Sequence, residues 1–315
     1  YWIRTNKSGN TFIKIKENTH SNTIFIVDES SMIPENSEKG FGNRSLLEDL
    51  IKYVYDGSDC KLILIGDTAQ LPPVHLDISP ALDEDKLESN YNKQVICKEL
   101  TQVVRQKKDS LILENVTNLR KKIANTDYSY PKLKTNTEVT RLYTGEALQE
   151  ALEKAYSSEG INNTTILCRS NKRANQYNQQ VRAKIRWQED EISTGDMLMV
   201  VRNNYHWLDD NSKAGFIANG DIVEVLKIRE TIERYGFRFV KASIKMIDYA
   251  EEKALDVILL LDTLTSQTPA ITYEQYQKLY KEISLDYKGE KEKKKKIKED
   301  PFFNALQIKF AYAIT

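Results

Sequence analysis

Two short apolar runs, each followed at once by acidic residues, form the clearest pattern along this chain. Residues 23–27 (TIFIV) lead into Asp28 and Glu29, and residues 61–65 (KLILI) lead through a glycine into Asp67. A continuous apolar run of this length is typical of a strand buried on both faces, as in a parallel sheet. The pattern therefore predicts two buried strands whose carboxyl ends carry polar side chains.

Between the two runs, residues 44–55 have the apolar spacing of a helix. The apolar side of this helix is formed by Leu46, Leu47, Leu50, Ile51 and Val54. Strand, helix and strand in this order predict a βαβ unit, and hence parallel strands. Because open α/β sheets bind ligands at the carboxyl ends of their strands, we expect the acidic residues and Gln70 along one sheet edge. Such an edge suits Mg²⁺, a phosphate and an attacking water.

The alternation of strand and helix continues on both sides of a polar connection, residues 125–136, where the sequence predicts a domain boundary. The predicted elements are a strand and loop at 95–106, a helix at 110–124, strands at 139–143 and 164–168, and helices at 145–157 and 171–186. Ser170 and Asn171 are both candidates for the N-cap of the last helix.

From residue 196 the pattern changes to short strands separated by turn residues. These strands are predicted at 196–201, 221–226, 237–246 and 256–261. Asn219-Gly220 is a strong turn signal, and apolar and polar side chains alternate along the third strand, so a small β-barrel is expected over 196–270. A charged helical segment, 271–299, contains the lysine run 291–298, which is either a solvated helix face or a phosphate contact. Residues 300–315 are expected to return to the second α/β sheet.

Composition limits the function classes only weakly. The 315 residues include 46 basic and 46 acidic side chains, so the net charge neither supports nor excludes a nucleic-acid partner. No apolar stretch approaches the roughly 20 residues of a membrane span, and we expect no membrane partner. The 3 cysteines are far apart and fit neither a disulfide framework nor a zinc site. Reduced thiols and a cytoplasmic location are therefore expected.

The two strand ends carry residue types that suit nucleotide hydrolysis. Asp28-Glu29 after a buried strand has the arrangement of a Walker B motif, in which one carboxylate lies near Mg²⁺ and one group orients water. Capping of the following segment is the alternative for this pair. In the second motif, Gly66 permits a tight turn, Asp67 can hold that turn, and Gln70 can contact a γ-phosphate or the water.

In sequence order, IFIVDESSM and LILIGDTAQLPPV resemble motifs II and III of superfamily 1 DNA helicases, and the Leu-Pro-Pro-Val ending is similar to the RecD-like 1B branch. Residues 100–106 (LTQVVRQ) are similar to motif IV, whose arginine would be Arg105. Residues 169–182 resemble the first helix region of the second RecA-like domain. Residues 195–221 resemble the entry to the SH3-like insertion of RecD-type enzymes.

The resemblance implies an α/β fold with two partial RecA-like P-loop NTPase domains, residues 1–125 and residues 136–195 with 300–315. The barrel would then be an SH3-like insertion in the second domain. The implied activity is that of an ATP-dependent DNA helicase moving 5′→3′ on single strands, with ATP and Mg²⁺ as cofactors. The implied catalytic residues are Glu29, Gln70 and Arg105, and the implied nucleotide-binding residues are Asp28, Asp67, Gln70 and Arg105, with Asp28 as the Mg²⁺ ligand.

The partners implied by the resemblance are single-stranded and duplex DNA. Candidate DNA contacts are Pro72, Pro73, Asn171, Tyr205, Trp207 and Asn219. Tyr205 and Trp207 either stack on bases, at roughly 1–3 kcal/mol per base, or pack against the barrel, and both alternatives stay open.

The chain departs from the family pattern in one respect, because its sequence contains no G-x-x-x-x-G-K-[ST] phosphate loop. The resemblance implies that such a loop precedes Tyr1 and that further helicase motifs follow Thr315. We therefore expect a helicase fragment that is inactive by itself. The alternatives are a non-catalytic module that binds single-stranded DNA and a helicase subunit of a repair or nuclease complex.

Overall fold

The computed structural model describes residues 2–5, 11–35, 44–73, 75–102, 110–209, 212–249 and 251–315. The chain forms two compact units, Tyr1–Arg141 and Leu142–Thr315. Both units contain helices and paired strands, so the fold is α/β, and the second also contains a closed five-stranded β-barrel. Within the described residues, no helix is both long enough and apolar enough to cross a membrane.

The division between the units lies after Arg141, whereas the sequence placed the boundary within residues 125–136. The polar connection stays with the first unit because side chains tie it to the helix that precedes it. Asn115 of that helix exchanges two hydrogen bonds with the backbone of Lys134. Glu138 accepts two further hydrogen bonds from the start of the same helix.

The first unit consists of an antiparallel hairpin, a strand–helix–strand unit and two further helices. Its elements are β1 (Trp2–Thr5), β2 (Thr11–Lys14), β3 (Ile24–Val27), α1 (Leu46–Tyr55), β4 (Lys61–Leu64), α2 (Glu84–Tyr91) and α3 (Leu111–Ala124). Strands β3 and β4 pair in parallel, and Val27 lies opposite Leu64 at their carboxyl ends. This pairing confirms the parallel strands predicted from the strand–helix–strand order.

The prediction that both faces of these strands are buried is wrong for the described residues. One face packs against α1, where Leu47 and Ile51 are buried with Leu62 and Leu64 beside them. Alternate side chains of a strand point to opposite faces. The opposite face exposes Ile24, Ile26 and Ile63, because no element in the described part of the chain covers it.

Two further predicted strands are corrected as well. Residues 95–102, the described part of the segment 95–106, form no strand, and neither do residues 139–143. A strand requires a neighbour to accept and donate its backbone hydrogen bonds, and neither segment has such a neighbour among the described residues.

The second unit begins with helices and a short strand, continues as the barrel, and ends in two strands. Its elements are α4 (Gly145–Ser158), β5 (Ile166–Leu167), α5 (Asn171–Gln180), β6 (Met197–Val200), β7 (Ile222–Arg234), β8 (Phe237–Met246), β9 (Leu255–Leu260), α6 (Tyr273–Asp286), α7 (Lys293–Glu299), β10 (Leu306–Phe310) and β11 (Ala313–Ile314). A π-helical turn, Val181–Ile185, continues α5. Ser170 caps α5, since its side chain accepts from the Arg173 N–H.

The barrel closes in the order β10-β6-β7-β8-β9, which confirms the predicted small barrel. The expectation that residues 300–315 return to the second α/β sheet is wrong for residues 306–310, which belong to the barrel. Strand β10 pairs antiparallel with β6 and parallel with β9. Leu306, Ile308 and Phe310 enter the barrel core, which explains this placement. Strand β11 then pairs in parallel with β5.

A second apolar cluster lies where the helices between β9 and β10 pack on the barrel. Leu279 and Ile283 of α6 and Ile297 of α7 are buried there against Phe237 and Phe239 of β8. The predicted helical segment 271–299 therefore consists of two helices that share one anchoring cluster. Helix α6 begins with a reciprocal capping box between Thr272 and Gln275.

Candidate nucleotide site at a sheet edge

The turns after β3 and β4 leave the same edge of the first unit's parallel sheet. The Ile65 N–H donates to the Val27 carbonyl at 2.8 Å, and the Ser30 N–H donates to the Ile65 carbonyl at 2.8 Å. These two hydrogen bonds extend the pairing beyond the strands themselves. The acidic residues at 28 and 29 and the Gly66-Asp67 turn are therefore neighbouring features of one sheet edge.

The backbone bends sharply at Glu29, directly after β3. Glu29 has φ 52 and ψ 36, a left-handed conformation that is uncommon for a residue with a side chain. Its N–H donates to Asp28 Oδ1 at 2.8 Å, and the Ser30 hydroxyl donates to the Val27 carbonyl at 3.0 Å. These hydrogen bonds hold the bend and leave both carboxylates exposed at the sheet edge.

The capping alternative for the acidic pair is not realised by Glu29. Glu29 occupies the N-cap position of the short 3₁₀ helix Ser30–Met32, yet its side chain makes no capping hydrogen bond. A carboxylate that is exposed and not used by the local backbone is free to orient a water or a ligand. Asp28 shares its Oδ1 with the Glu29 N–H, and its carboxylate is exposed beside the same bend.

The second turn depends on a glycine and an aspartate. A Cβ at Gly66 would lie 2.8 Å from the backbone nitrogen of Ser31, so the two turns approach too closely for a larger residue. Asp67 Oδ1 accepts from the Ala69 N–H at 2.9 Å, and the Gln70 N–H donates to the Asp67 carbonyl at 3.1 Å. The turn is held as the sequence predicted, and the Gln70 side chain is exposed on it.

Arg120 is a member of this site that sequence reasoning missed. From α3, its Nη1 donates to Asp67 Oδ2 at 2.7 Å. This hydrogen bond, with the backbone donor at Ala69 and the arginine charge, lowers the pKa of Asp67 against the opposing effect of burial. Both carboxylate oxygens of Asp67 accept hydrogen bonds from within the first unit, one from the Ala69 N–H and one from Arg120, so this side chain holds the turn. A contact of Asp67 with a nucleotide stays a prediction. The sequence offered only a weak indication of this contact, namely an arginine on a predicted helix.

Buried polar groups lie beneath the two turns. The Ser79 hydroxyl lies 2.8 Å from the carbonyl oxygens of both Ser30 and Ile33. Ser31 is also buried, and its hydroxyl has no hydrogen-bond partner among the described residues. Following Gln70, Pro72 is exposed and Pro73 is buried, so the latter anchors the exit of the turn. Arg105 lies outside the described residues.

The donor set fits a magnesium ion that is shared with phosphates better than a closed metal cage. No group of three or more His, Cys, Asp or Glu side chains within the described residues could hold a metal by itself. Mg²⁺ usually keeps several waters and binds through one or two carboxylates together with substrate phosphates. The exposed carboxylate of Asp28, at the edge of a parallel sheet, meets that requirement.

The candidate DNA contacts of the second unit divide into packed and exposed residues. Trp207 packs against both apolar clusters and donates its indole N–H to the Asn304 carbonyl at 2.8 Å, so its barrel-packing alternative is the one observed. Tyr205 is 72% exposed and stacks on Phe216. Asn219 is exposed in the turn that precedes β7. Asn171, the first residue of α5, accepts from the Thr315 hydroxyl.

Comparison of the chain with protein-family models and with curated proteins gave no match. The helicase resemblance therefore rests on the sequence motifs alone.

Proposed function

We propose that this chain belongs to an ATP-dependent DNA helicase of the RecD-like type, which moves 5′→3′ on single-stranded DNA in the cytoplasm. The observation that supports the proposal most strongly is the sheet edge. Two parallel strands end side by side, one in an exposed Asp28-Glu29 pair and the other in a fixed turn that displays Gln70. The two helicase-like motifs are thus adjacent in space as well as ordered in sequence.

Each residue has a defined task in this proposal. Asp28 would hold Mg²⁺, which neutralises charge on the phosphates when it is bound. Glu29 would orient and deprotonate the attacking water, and Gln70 would contact the γ-phosphate. Asp67 and Arg120 hold the turn in place, so that the amide of Gln70 stays at the sheet edge. Coupling to DNA would follow from loss of the γ-phosphate contact.

The direct test replaces Glu29 by Gln in the complete gene product. Removal of a general base typically costs a factor of about 10²–10⁴, so DNA-stimulated ATP hydrolysis should fall by at least about 100-fold. Binding of a fluorescent ATP analogue should stay within about threefold. Glu17→Gln is the matched control, because Glu17 is exposed and lies outside the two turns, and it should leave both measurements unchanged. Undiminished hydrolysis in Glu29→Gln would refute the catalytic assignment.

A non-catalytic module that binds single-stranded DNA is the second candidate, and one feature of the second unit favours it. Exposed Tyr205 borders a hollow of about 170 Å³, which Arg202 and Tyr276 also line. The Arg202 guanidinium lies 4.9 Å from the Tyr276 ring centre. Aromatic faces beside an arginine suit a stacked base and its phosphate. DNA binding without any nucleotide hydrolysis by the complete gene product would favour this candidate, including a role as a subunit of a repair or nuclease complex.

A further inference from the structure

The lysine-rich segment, residues 288–298, is held against the barrel. Ile297 is fully buried in the cluster that α6 and β8 share. Just beyond the segment, Asp300 accepts from the Tyr287 hydroxyl at 2.8 Å and from the Phe302 N–H at 2.8 Å. The Asn304 side chain donates to the Lys298 carbonyl at 2.7 Å. The charges of this segment are therefore presented from a fixed position on the second unit.

Positive charge is concentrated in the lysine-rich segment, although the chain as a whole is neutral. The segment contains seven lysines and two glutamates. Two of the lysines form ion pairs, Lys295 with Glu292 at 3.8 Å and Lys296 with Glu290 at 2.9 Å. The others make no ion pair within the described residues, and they are Lys288, Lys291, Lys293, Lys294 and Lys298. Most of the segment's positive charge is therefore available to an external anion.

The spacing of these cations suits a repeating anion. Lys294 and Lys298 are four residues apart in α7, so they share one flank of the helix at a separation of about 6 Å along its axis. Lys291 precedes them in the turn that leads into α7. A single DNA strand carries one charge per roughly 3.4 Å of helix axis, and a duplex carries one per roughly 1.7 Å. A row of lysines at this spacing can therefore contact several phosphates of one strand.

We propose that the lysine-rich segment binds the sugar–phosphate backbone of DNA without reading its sequence. The choice of DNA as the polyanion rests on the proposed function. The chemistry of the segment argues against two other partners. Its one apolar side chain, Ile297, is buried, so no apolar anchor remains for a protein interface or for insertion into a lipid surface. Lysine is a flexible point charge, which suits phosphate contacts rather than bidentate base contacts.

The test measures how strongly salt weakens DNA binding by the full chain. The variant carries Lys291→Gln, Lys294→Gln and Lys298→Gln, and the probes are a fluorescein-labelled 20-base-pair duplex and a single strand of the same length. Each lost phosphate contact should lower the slope of log Kd against log salt by about 0.9 on the duplex and about 0.7 on the single strand. We expect a slope smaller by about 2–3, and affinity at least about tenfold weaker for every probe sequence.

The matched control removes the same charge from β7, from β8 and from the connection between β8 and β9. Lys227→Gln, Lys245→Gln and Lys253→Gln alter three exposed lysines and should change the affinity by less than about threefold. A second variant replaces Lys291, Lys294 and Lys298 by Arg, which keeps the charge and should restore the salt slope. An unchanged slope in the glutamine variant, or an equal loss in the barrel control, would overturn the proposal.

The outcome is separable from that of the proposed function. ATP hydrolysis is measured on the complete gene product with the same lysine substitutions. A protein without ATPase activity whose salt slope still depends on the lysine-rich segment would refute the helicase assignment and support the backbone contact. DNA-stimulated ATPase activity together with a salt slope that the lysine substitutions leave unchanged would support the helicase assignment and refute the backbone contact.

Discussion

The closed barrel of the second unit and the parallel strand pair of the first bury their isoleucines very differently. Ile244 in β8 is 0% exposed, whereas Ile26 in β3 is 64% exposed. A barrel pairs all of its strands and encloses its inner side chains. The described part of the first sheet contains two strands with a helix on one face. Similar apolar strands are therefore buried to different extents, because the barrel strand has more neighbouring elements that cover its side chains than the sheet strand has.

The two regions are held together by different interactions. The barrel is held by a continuous apolar core that extends from β6 to β10. The candidate site, by contrast, is shaped by hydrogen bonds. Asp28 and Asp67 make them within the two turns, and Ser79 and Arg120 donate to the turns from other segments. Substitutions in the barrel should therefore act on the free energy of unfolding. Substitutions at the turns should act mainly on local geometry.

The largest effect is expected from the buried ion pair beside the barrel. Arg182 Nε and Asp196 Oδ1 lie 2.9 Å apart, with side chains 3% and 0% exposed. Asp196→Asn keeps the volume but leaves the arginine without a counter-charge, which typically costs about 3–5 kcal/mol. Urea denaturation followed by tryptophan fluorescence measures this loss. Asp256→Asn, which breaks the exposed pair between Asp256 and Arg229, should lower stability far less than Asp196→Asn, because solvent screens exposed ion pairs. Equal losses would contradict the difference in burial.

Isoleucine occurs in both regions, buried in the barrel and exposed on the sheet face. Ile244→Ala should lower the free energy of unfolding by about 2–5 kcal/mol, because it opens a cavity in the barrel core. Ile26→Ala on the exposed sheet face should change stability by no more than about 0.5 kcal/mol. Hydrogen exchange resolves the two regions separately. A large loss from Ile26→Ala would show that the sheet face is covered in solution.

Substitution of two glycines, one crowded and one not, tests how closely the two turns of the candidate site approach each other. Gly66→Ala would place a methyl group 2.8 Å from both the Ser31 nitrogen and Leu82 Cδ1. Overpacking of this kind typically costs about 1–3 kcal/mol. Gly145→Ala, at the start of α4, meets nothing within 4 Å and should be neutral or stabilising by up to about 1 kcal/mol. Thermal denaturation of both variants decides the matter, and equal behaviour would refute the steric argument.

The smallest effect on stability is expected at the exposed ion pair of the site. Arg120→Gln removes the main cause that lowers the pKa of Asp67, so this pKa should rise towards its ordinary value of 3.8. A lowered pKa contributes stability that is present above the ordinary value and is lost as pH falls through the folded-state pKa. At neutral pH, the free energy of unfolding of the wild-type protein should therefore exceed that of the variant by less than about 1 kcal/mol. The difference should vanish in strong acid.

Titration of the Asp67 carboxyl by NMR measures the shift directly. Lys122→Gln is a suitable control on the same helix, because Lys122 pairs with Asp127 rather than with Asp67. An unchanged pKa of Asp67 in Arg120→Gln would mean that the arginine does not hold the turn in solution.

Much of the local structure follows from sequence pattern alone. Helices α1, α3 and α4, the parallel pair of β3 and β4, and most barrel strands follow from apolar periodicity and turn residues, which act over a few positions. The turn at Asp67 was also predictable, because a glycine–aspartate pair after a strand favours it. The partner Arg120 was not, since it lies 53 positions away in the sequence.

The sequence by itself determined the type of most elements and the order of the polar turns, because these depend on neighbouring residues. The tertiary structure alone decided that β10 closes the barrel, that one face of the parallel pair is exposed, and that Trp207 packs inward. Each of these outcomes depends on which distant segment supplies the neighbour. An apolar run specifies that it needs a partner, but the surrounding fold selects which partner it receives.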